Sequence, residues 1–262
     1  MLPDAPDAAV VTALAAGRPI VELAHARQRT DGVIAVAWRD GKLVRLCAHR
    51  CGLATLPARL VTLDALERLD VGGNQLAELP DLPAALRELY VDDNQLAALP
   101  ALPRLTVLDA NRNRLARVAA LHDLRFAYLA DNRLTEVPAL RNVRYLNVSD
   151  NPLAALAITQ ADAEDGLREL RAERAQLTTI QLTGLRDLRE LALRGNRLAA
   201  LPASFATLRA LRVLDVRANQ LDDVPAALRA LPLDKLDLRW NPLRARPAWL
   251  DALAARGGRV YE

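Results

Sequence analysis

Three side chains that bind metals stand close together in the sequence. Cys47, His49 and Cys51 form the segment Cys-Ala-His-Arg-Cys. Thiolates and imidazole are the preferred ligands of Zn²⁺, but a structural zinc site needs four of them. The other two histidines, His25 and His122, stand outside this segment. A zinc interpretation therefore depends on whether the three side chains point in one direction.

Side chains for catalysis are scarce. The 262 residues include three histidines, two cysteines and two serines, Ser149 and Ser204. A catalytic triad needs a Ser or Cys beside a His, and neither pair of adjacent glycines has the spacing of a phosphate-binding loop. Carboxylate pairs such as Asp92-Asp93 are typical of a solvated surface in a chain with 32 acids. The sequence thus predicts no catalytic residue, no enzymatic activity and no cofactor.

The elements that position these residues are repeats. The pattern LxxLxLxxNxL occupies residues 66–76 and 86–96, and ten copies, the first of them degenerate, cover residues 43–243. Successive copies are 19 to 24 residues apart. The ninth position of the copies holds, in order, Cys51, Asn74, Asn94, Asn113, Asn132, Asn151, Ala175, Asn196, Asn219 and Asn241.

This pattern resembles the leucine-rich repeat family. The Leu-Pro steps at Leu79-Pro80 and Leu99-Pro100 look like the short bacterial repeats of type III secreted effectors of the invasion-plasmid-antigen class. Those effectors carry a ubiquitin-ligase domain after the repeats. Because this chain ends at Glu262, we do not expect that activity here.

Physical arguments agree with the resemblance. Each LxL core alternates with period two, which indicates a strand with one buried face. Such a unit cannot cover its own apolar face, so neighbouring units must stack. We expect a right-handed solenoid of about ten coils, an α/β fold with a curved parallel sheet on its concave side and helical caps. The Asn residues form a structural ladder in its turns, and the coil with Ala175 is the expected irregularity.

This register argues against the zinc site. Cys51 takes the inward Asn position, whereas Cys47 and His49 are expected to face outward. The three side chains should therefore diverge, and we predict no bound metal.

The third and fifth repeat positions point to the concave face, where aromatic residues accumulate. Tyr90, Phe126, Tyr128 and Tyr145 occupy these positions in repeats three, five and six, beside Val107. Aromatic residues are enriched at interface hot spots, although cross-strand ring packing that only stabilises the sheet is an alternative. We predict partner binding here, with polar contacts from Asp70, Asp109 and Asn147.

A column of arginines occupies the seventh position of the later repeats. Arg194, Arg217 and Arg239 follow one another there, and Trp240 stands next to the last of them. Asp215 and Asp237 can interleave with this column as a salt ladder, which is the interpretation we favour. The alternative is a secondary site for an anion or an acidic partner.

The segments at both ends are expected to cap the stack. Residues 1–42 are expected to form a helix, over about 8–16 with Asp7 as its N-cap, and a hairpin around Asp40-Gly41. Residues 244–262 are expected to form a helix over about 247–256 and a final strand. We expect residues 1–42, 43–243 and 244–262 to make one continuous domain.

Composition limits the function. The net charge is +3, and no Lys/Arg run stands free of acids, which disfavours nucleic-acid binding. No signal peptide and no membrane span are evident, so we expect a monomeric cytoplasmic protein, with secretion as a bacterial effector as the alternative. The sequence predicts a non-catalytic module that binds a protein or peptide partner. The alternative is the substrate-recognition part of an effector or ubiquitin-ligase-like enzyme whose catalytic domain is absent.

Overall fold

A computed structural model describes residues 6–22, 29–119, 124–160 and 166–262, and every structural statement below refers to these residues. His25 and His122 lie outside them. The chain divides into two compact units, residues 1–119 and 120–262. We describe each unit by itself, and the expectation of one continuous domain stays a prediction.

The first unit contains the N-terminal cap and the first four repeats. Its helix and strands are α1 (Pro6–Ala15), β1 (Ile20–Glu22), β2 (Ile34–Arg39), β3 (Lys42–Cys47), β4 (Arg68–Asp70), β5 (Glu88–Tyr90) and β6 (Val107–Asp109), with a 3-10 helix at Ala58–Thr62. The strands form one sheet in this order. All neighbours are parallel except β2 and β3, which are antiparallel.

The predicted hairpin is confirmed. Asp40 and Gly41, which join β2 to β3, have positive φ values of 52° and 74°, the backbone that the tight turn of a twisted hairpin requires. The short strand β1 beside β2 was not predicted. Its three residues carry no periodic pattern that would distinguish a strand from a loop.

The second unit contains the later repeats and the C-terminal cap. Its strands and helix are β7 (Phe126–Tyr128), β8 (Tyr145–Asn147), β9 (Ala155–Thr159), β10 (Glu169–Arg171), β11 (Thr179–Thr183), β12 (Glu190–Ala192), β13 (Val213–Asp215), β14 (Lys235–Asp237), α2 (Trp249–Ala255) and β15 (Arg259–Tyr261). The predicted helical turns are 3-10 helices at Ala203–Thr207 and Ala226–Ala230. A parallel sheet has the order β7-β8-β10-β12-β13-β14-β15.

The repeat with Ala175 is irregular, as predicted. On either side of it, β9 and β11 form a separate two-stranded parallel sheet. Their side chains alternate between exposed and buried. The longer spacing of this repeat therefore provides a second strand in its coil.

The inward leucines make the core of each unit. In the first unit, Leu69, Leu89 and Leu108 are aligned on adjacent strands and are at most 1% exposed. In the second unit, Leu170 and Leu191 are aligned and buried in the same way. The predicted inward positions of these leucines are confirmed, and both units have the leucine-rich repeat solenoid architecture.

The buried asparagines close the turns between coils. Asn94 accepts a hydrogen bond from the N–H of Leu76 in the previous coil (2.9 Å). Its amide nitrogen donates to the carbonyls of Val71, Val91 and Asp92. Asn219 bonds to Leu198, Leu193 and Val216 in the same way. The predicted ladder of asparagines thus satisfies buried backbone groups that would otherwise lack partners.

Both caps differ slightly from expectation. Helix α1 begins at Pro6, so Asp7 lies in its first turn and is not the N-cap. The Asp7 carboxylate instead accepts a hydrogen bond from the N–H of Leu43 at the start of the repeats (2.9 Å). Helix α2 is shorter than predicted, while the final strand β15 is present. In the described ranges, no helix has the length and apolar character needed to cross a membrane.

Candidate functional site

Three aromatic side chains lie together on the exposed face of the second unit's sheet. The rings of Tyr128 and Tyr145 have centroids 4.7 Å apart and are tilted by 37°. Phe126 is paired with Tyr145 across the two strands, and 38% of its surface is exposed. Asn147 is aligned with Tyr128. We call Phe126, Tyr128 and Tyr145 the aromatic patch.

Tyr90 lies in the first unit, in a polar environment. The Arg68 guanidinium lies 4.2 Å from the centre of the Tyr90 ring. Arg68 also donates to the Tyr90 hydroxyl at 3.2 Å, and this hydroxyl donates to Glu88. Tyr90 is therefore held among charged side chains, and its strand pairs with the one that carries Val107 and Asp109.

An arginine from the N-terminal segment covers part of the first unit's exposed face. The Arg29 Nε donates to Asp70 at 3.0 Å, and its terminal nitrogens donate to both carboxylate oxygens of Asp92. Asp70 is only 1% exposed and Asp92 4%. We call these three residues the Arg29 cluster. Bidentate arginine–carboxylate contacts of this kind are strong and specific in geometry.

The Arg29 cluster corrects two expectations. Asp92, expected on solvated surface, is buried under Arg29. Asp70 was expected to contact a partner, but its carboxylate is occupied within the chain. Sequence reasoning missed Arg29 because it precedes the repeats, and no periodic signal links it to Asp70 or Asp92.

Asp109, by contrast, makes no ion pair with any described residue. Its carboxylate accepts a hydrogen bond from the backbone N–H of Asn111 at 3.2 Å. Burial, together with the negative charge of Asp92, raises the pKa of Asp109 to about 6. The hydrogen bond from Asn111 and the positive charges of Arg29 and Arg112 oppose this rise without cancelling it. This side chain therefore changes protonation near neutral pH.

Four residues of the Cys-Ala-His-Arg-Cys segment are buried, and only Arg50 is exposed. Cys47 and His49, expected to face outward, are 5% and 7% exposed, and Cys51 is 2% exposed. His49 has Asp31 on one side (3.5 Å from Nε2) and Asp70 on the other (3.8 Å from Nδ1). Burial raises the pKa of both thiols, which keeps them protonated. Across the part of the chain that the structure describes, no group of three or more His, Cys, Asp or Glu side chains could hold a metal.

The two serines take part in local structure. The Ser149 side chain is buried and its Oγ accepts the backbone N–H of Glu173 at 3.1 Å. Ser204 is exposed in a 3-10 helix.

Two of the three arginines in the column at the seventh repeat position form the expected ion pairs with aspartates. Arg217 contacts Asp215 (2.6 Å) and Asp237 (3.4 Å), and Arg239 contacts Asp237 (2.8 Å). Burial alone would raise the pKa of Asp237, but the hydrogen bond from Arg239 and the two positive charges hold it below its usual value. Within the described ranges, Arg194 has no ion pair. Trp240 is 64% exposed, 5.3 Å from the Arg239 guanidinium.

Comparisons with known proteins agree with this architecture. A family model for the leucine-rich repeat matches residues 186–243. YopM from Yersinia enterocolitica WA-314 is 27% identical, with a TM-score of 0.61 over 80% of this chain and 54% of that one. YopM, a leucine-rich effector protein from Yersinia pestis, is 24% identical, with a TM-score of 0.52 over 93% of this chain and 65% of that one. An octameric complex of latrophilin 3, Unc5D and the leucine-rich repeats of FLRT2 contains a chain that is 22% identical, with a TM-score of 0.55 over 82% of this chain and 80% of that one.

No curated protein sequence matches the chain. The chain spans about half the length of the first of these YopM chains. The repeat pattern, the asparagine ladder and the stacked parallel strands give the chain a leucine-rich repeat architecture, and its repeats are similar to those of a bacterial effector.

Proposed function

We propose that this chain is a non-catalytic protein-interaction module that binds a protein or peptide partner at the aromatic patch. The observation that carries this proposal is the contact between Tyr128 and Tyr145 on an exposed sheet face, with Phe126 left open beside it. Large aromatic rings supply much contact area at a small cost in side-chain entropy, which is why they dominate interface hot spots.

The structural neighbours support the same general function. The leucine-rich repeats of FLRT2 belong to a complex with latrophilin 3 and Unc5D. YopM is described as an effector protein. A recognition role of the effector type therefore fits the repeats of this chain.

The first unit supplies a second set of candidate contacts. Tyr90, Val107 and Asp109 remain partly accessible on its exposed face. Asp70 is left out of this set because Arg29 covers it. The poorly compensated charge of Asp109 fits a basic group on the partner.

Site-specific photocrosslinking tests the proposal. One variant carries benzoylphenylalanine at position 126, and the matched control carries it at position 197, which is also on the surface. Each variant is mixed with cell lysate and irradiated. We expect one discrete partner at position 126 that is absent at position 197 and is lost when Tyr128 and Tyr145 are changed to Ala. The same crosslinked species at both positions, or a partner that survives both alanines, would overturn the proposal.

A further inference from the structure

Five arginines form an unbroken column at the start of the strands of the second unit. Each is the second residue of its repeat, directly after the first leucine or valine. Their backbones are linked in succession, because the N–H of each donates to the carbonyl of the one before it at 2.8 to 3.0 Å. The members are Arg125, Arg144, Arg168, Arg189 and Arg212. We call them the arginine ladder.

The ladder is exposed and only partly neutralised. All its members are exposed except Arg144, which is half-buried. Arg144 and Arg168 have interaction partners of their own, whereas in the described parts of the chain the side chains of Arg125 and Arg189 make no ion pair. Arg212 lies 3.9 Å from Asp234. Arginines stacked at the strand spacing of about 4.8 Å repel one another, so a bound acidic group would supply the countercharge that Arg125 and Arg189 lack.

We propose that the arginine ladder docks an extended acidic segment of a protein partner, an inference that rests on the proposed function and names the charge of the partner. The dimensions agree with such an occupant. Five arginines about 4.8 Å apart span roughly 19 Å, the length of about six residues of extended chain. In an extended chain, alternate side chains point the same way, so three acidic residues can face the ladder together.

The position of the ladder connects it to the aromatic patch. Arg125 directly precedes Phe126, and Arg144 directly precedes Tyr145. A partner held by the aromatic rings would therefore place neighbouring residues along the ladder. Contacts between arginine and carboxylate groups add geometric specificity to that apolar contact.

Acidic residues beside the ladder favour a protein over a nucleic acid. Glu169 and Glu190 directly follow Arg168 and Arg189. Glu169 is engaged by Arg171 at 2.6 Å, while Glu190 is exposed and has no ion pair with any described residue. A nucleic-acid backbone carries a charge at every step and would meet Glu190 in any register. A peptide can place an acid against an arginine and a neutral or basic residue against Glu190.

Fluorescence anisotropy with defined probes tests the inference. The probes are a labelled peptide of alternating Glu and Thr, the same peptide with Gln for Glu, and an oligothymidylate of equal length. The test variant is R125E/R189E. The matched control is R133E/R197E, which changes the net charge by the same amount. These two arginines are exposed and lie outside the arginine ladder, directly after the buried asparagines Asn132 and Asn196.

We expect the Glu-Thr peptide to bind the unchanged chain, more weakly as salt rises. Binding should fall ~10-fold or more in R125E/R189E and less than ~2-fold in R133E/R197E. Equal losses in the two variants, or an intact R125E/R189E, would overturn the inference. Tighter binding of oligothymidylate than of the Glu-Thr peptide would overturn it as well. The crosslink from position 126 does not use these probes, so the ladder can fail while the proposed function stands.

Discussion

Arg29 binds Asp92 with both terminal nitrogens of its guanidinium, although 63 residues separate the two in the chain. The same guanidinium reaches Asp70 through Nε. Two buried carboxylates therefore depend on one cation that comes from outside the repeats.

We expect Arg29→Ala to lower the free energy of unfolding by about 2 kcal/mol, because it leaves two buried carboxylates without their cation. The figure is below the full value for a buried pair since the Arg29 side chain is 33% exposed. Arg112→Ala is the control, because Arg112 is 3.8 Å from Asp92 and largely exposed. Denaturant unfolding measures the stability of both variants. Equal unfolding midpoints for R29A and R112A would contradict the role of Arg29.

Asp109 makes the stability of the protein depend on pH. Its pKa is about 6 in the folded chain, against 3.8 for an ordinary Asp. An acid with a raised pKa binds its proton more tightly in the folded state, so its contribution is complete below pH ~4 and is lost as pH rises through ~6. We expect this loss to reach roughly 2–3 kcal/mol.

Asp109→Asn should therefore be more stable than the unchanged chain at pH 8 and should show little difference at pH 4. Asp81→Asn, at an exposed position of the same unit, is the matched control. Unfolding curves at the two pH values measure the effect. If D109N raises the free energy of unfolding equally at pH 4 and pH 8, the pH dependence does not come from Asp109.

Leu89 lies fully buried in the middle of the first unit. Leu89→Ala should cost about 2–5 kcal/mol, since it removes buried apolar surface and leaves a cavity. Glu78→Ala, at an exposed position, should stay within about 0.5 kcal/mol. Comparable shifts in the denaturant midpoint would mean that the register of the repeats is wrong.

Asn94 and Asn241 make similar hydrogen bonds at different depths. Asn94 is 8% exposed, whereas Asn241, near the end of the repeats, is half-buried. Asn94→Ala should cost about 2–4 kcal/mol because several buried backbone groups lose their partner. Asn241→Ala should cost clearly less, because water can replace part of what is lost. A larger loss for N241A in thermal unfolding would contradict this reasoning.

Tyr128→Ala should leave the fold nearly intact and weaken the partner captured at position 126 by about 2 kcal/mol or more, roughly 30-fold in Kd. Titration of the identified partner by calorimetry measures this loss. If binding survives alanines at Tyr128 and Tyr145 but is lost with alanines at Arg194, Arg217 and Arg239, the contact surface lies at the arginine column instead.

The periodic part of the fold could be predicted from the sequence. Leu89 and Asn94 occupy repeat positions whose side chains point inward in every copy of the pattern. Their burial and their hydrogen bonds therefore follow from the repeat spacing. The neighbouring rings of Tyr128 and Tyr145 follow from the same spacing.

Contacts from outside the repeats could not be predicted in this way. The repeat pattern places Asp92 on the outer face of its strand, but it carries no information on what covers that face. The burial of Asp92 under Arg29 depends on a contact across 63 residues that no local spacing specifies. His49 likewise contacts a residue from outside the repeats, since Asp31 lies against it.

The asparagine ladder also has a direction. Asn94 completes the turn of the coil before its own by accepting the N–H of Leu76, and Asn219 does the same for Leu198. During synthesis on the ribosome, each coil therefore gains its last hydrogen bonds only when its successor has emerged. Trimming whole coils from the C-terminal side would expose the open turn of a single coil, so this fold can be shortened or lengthened one repeat at a time.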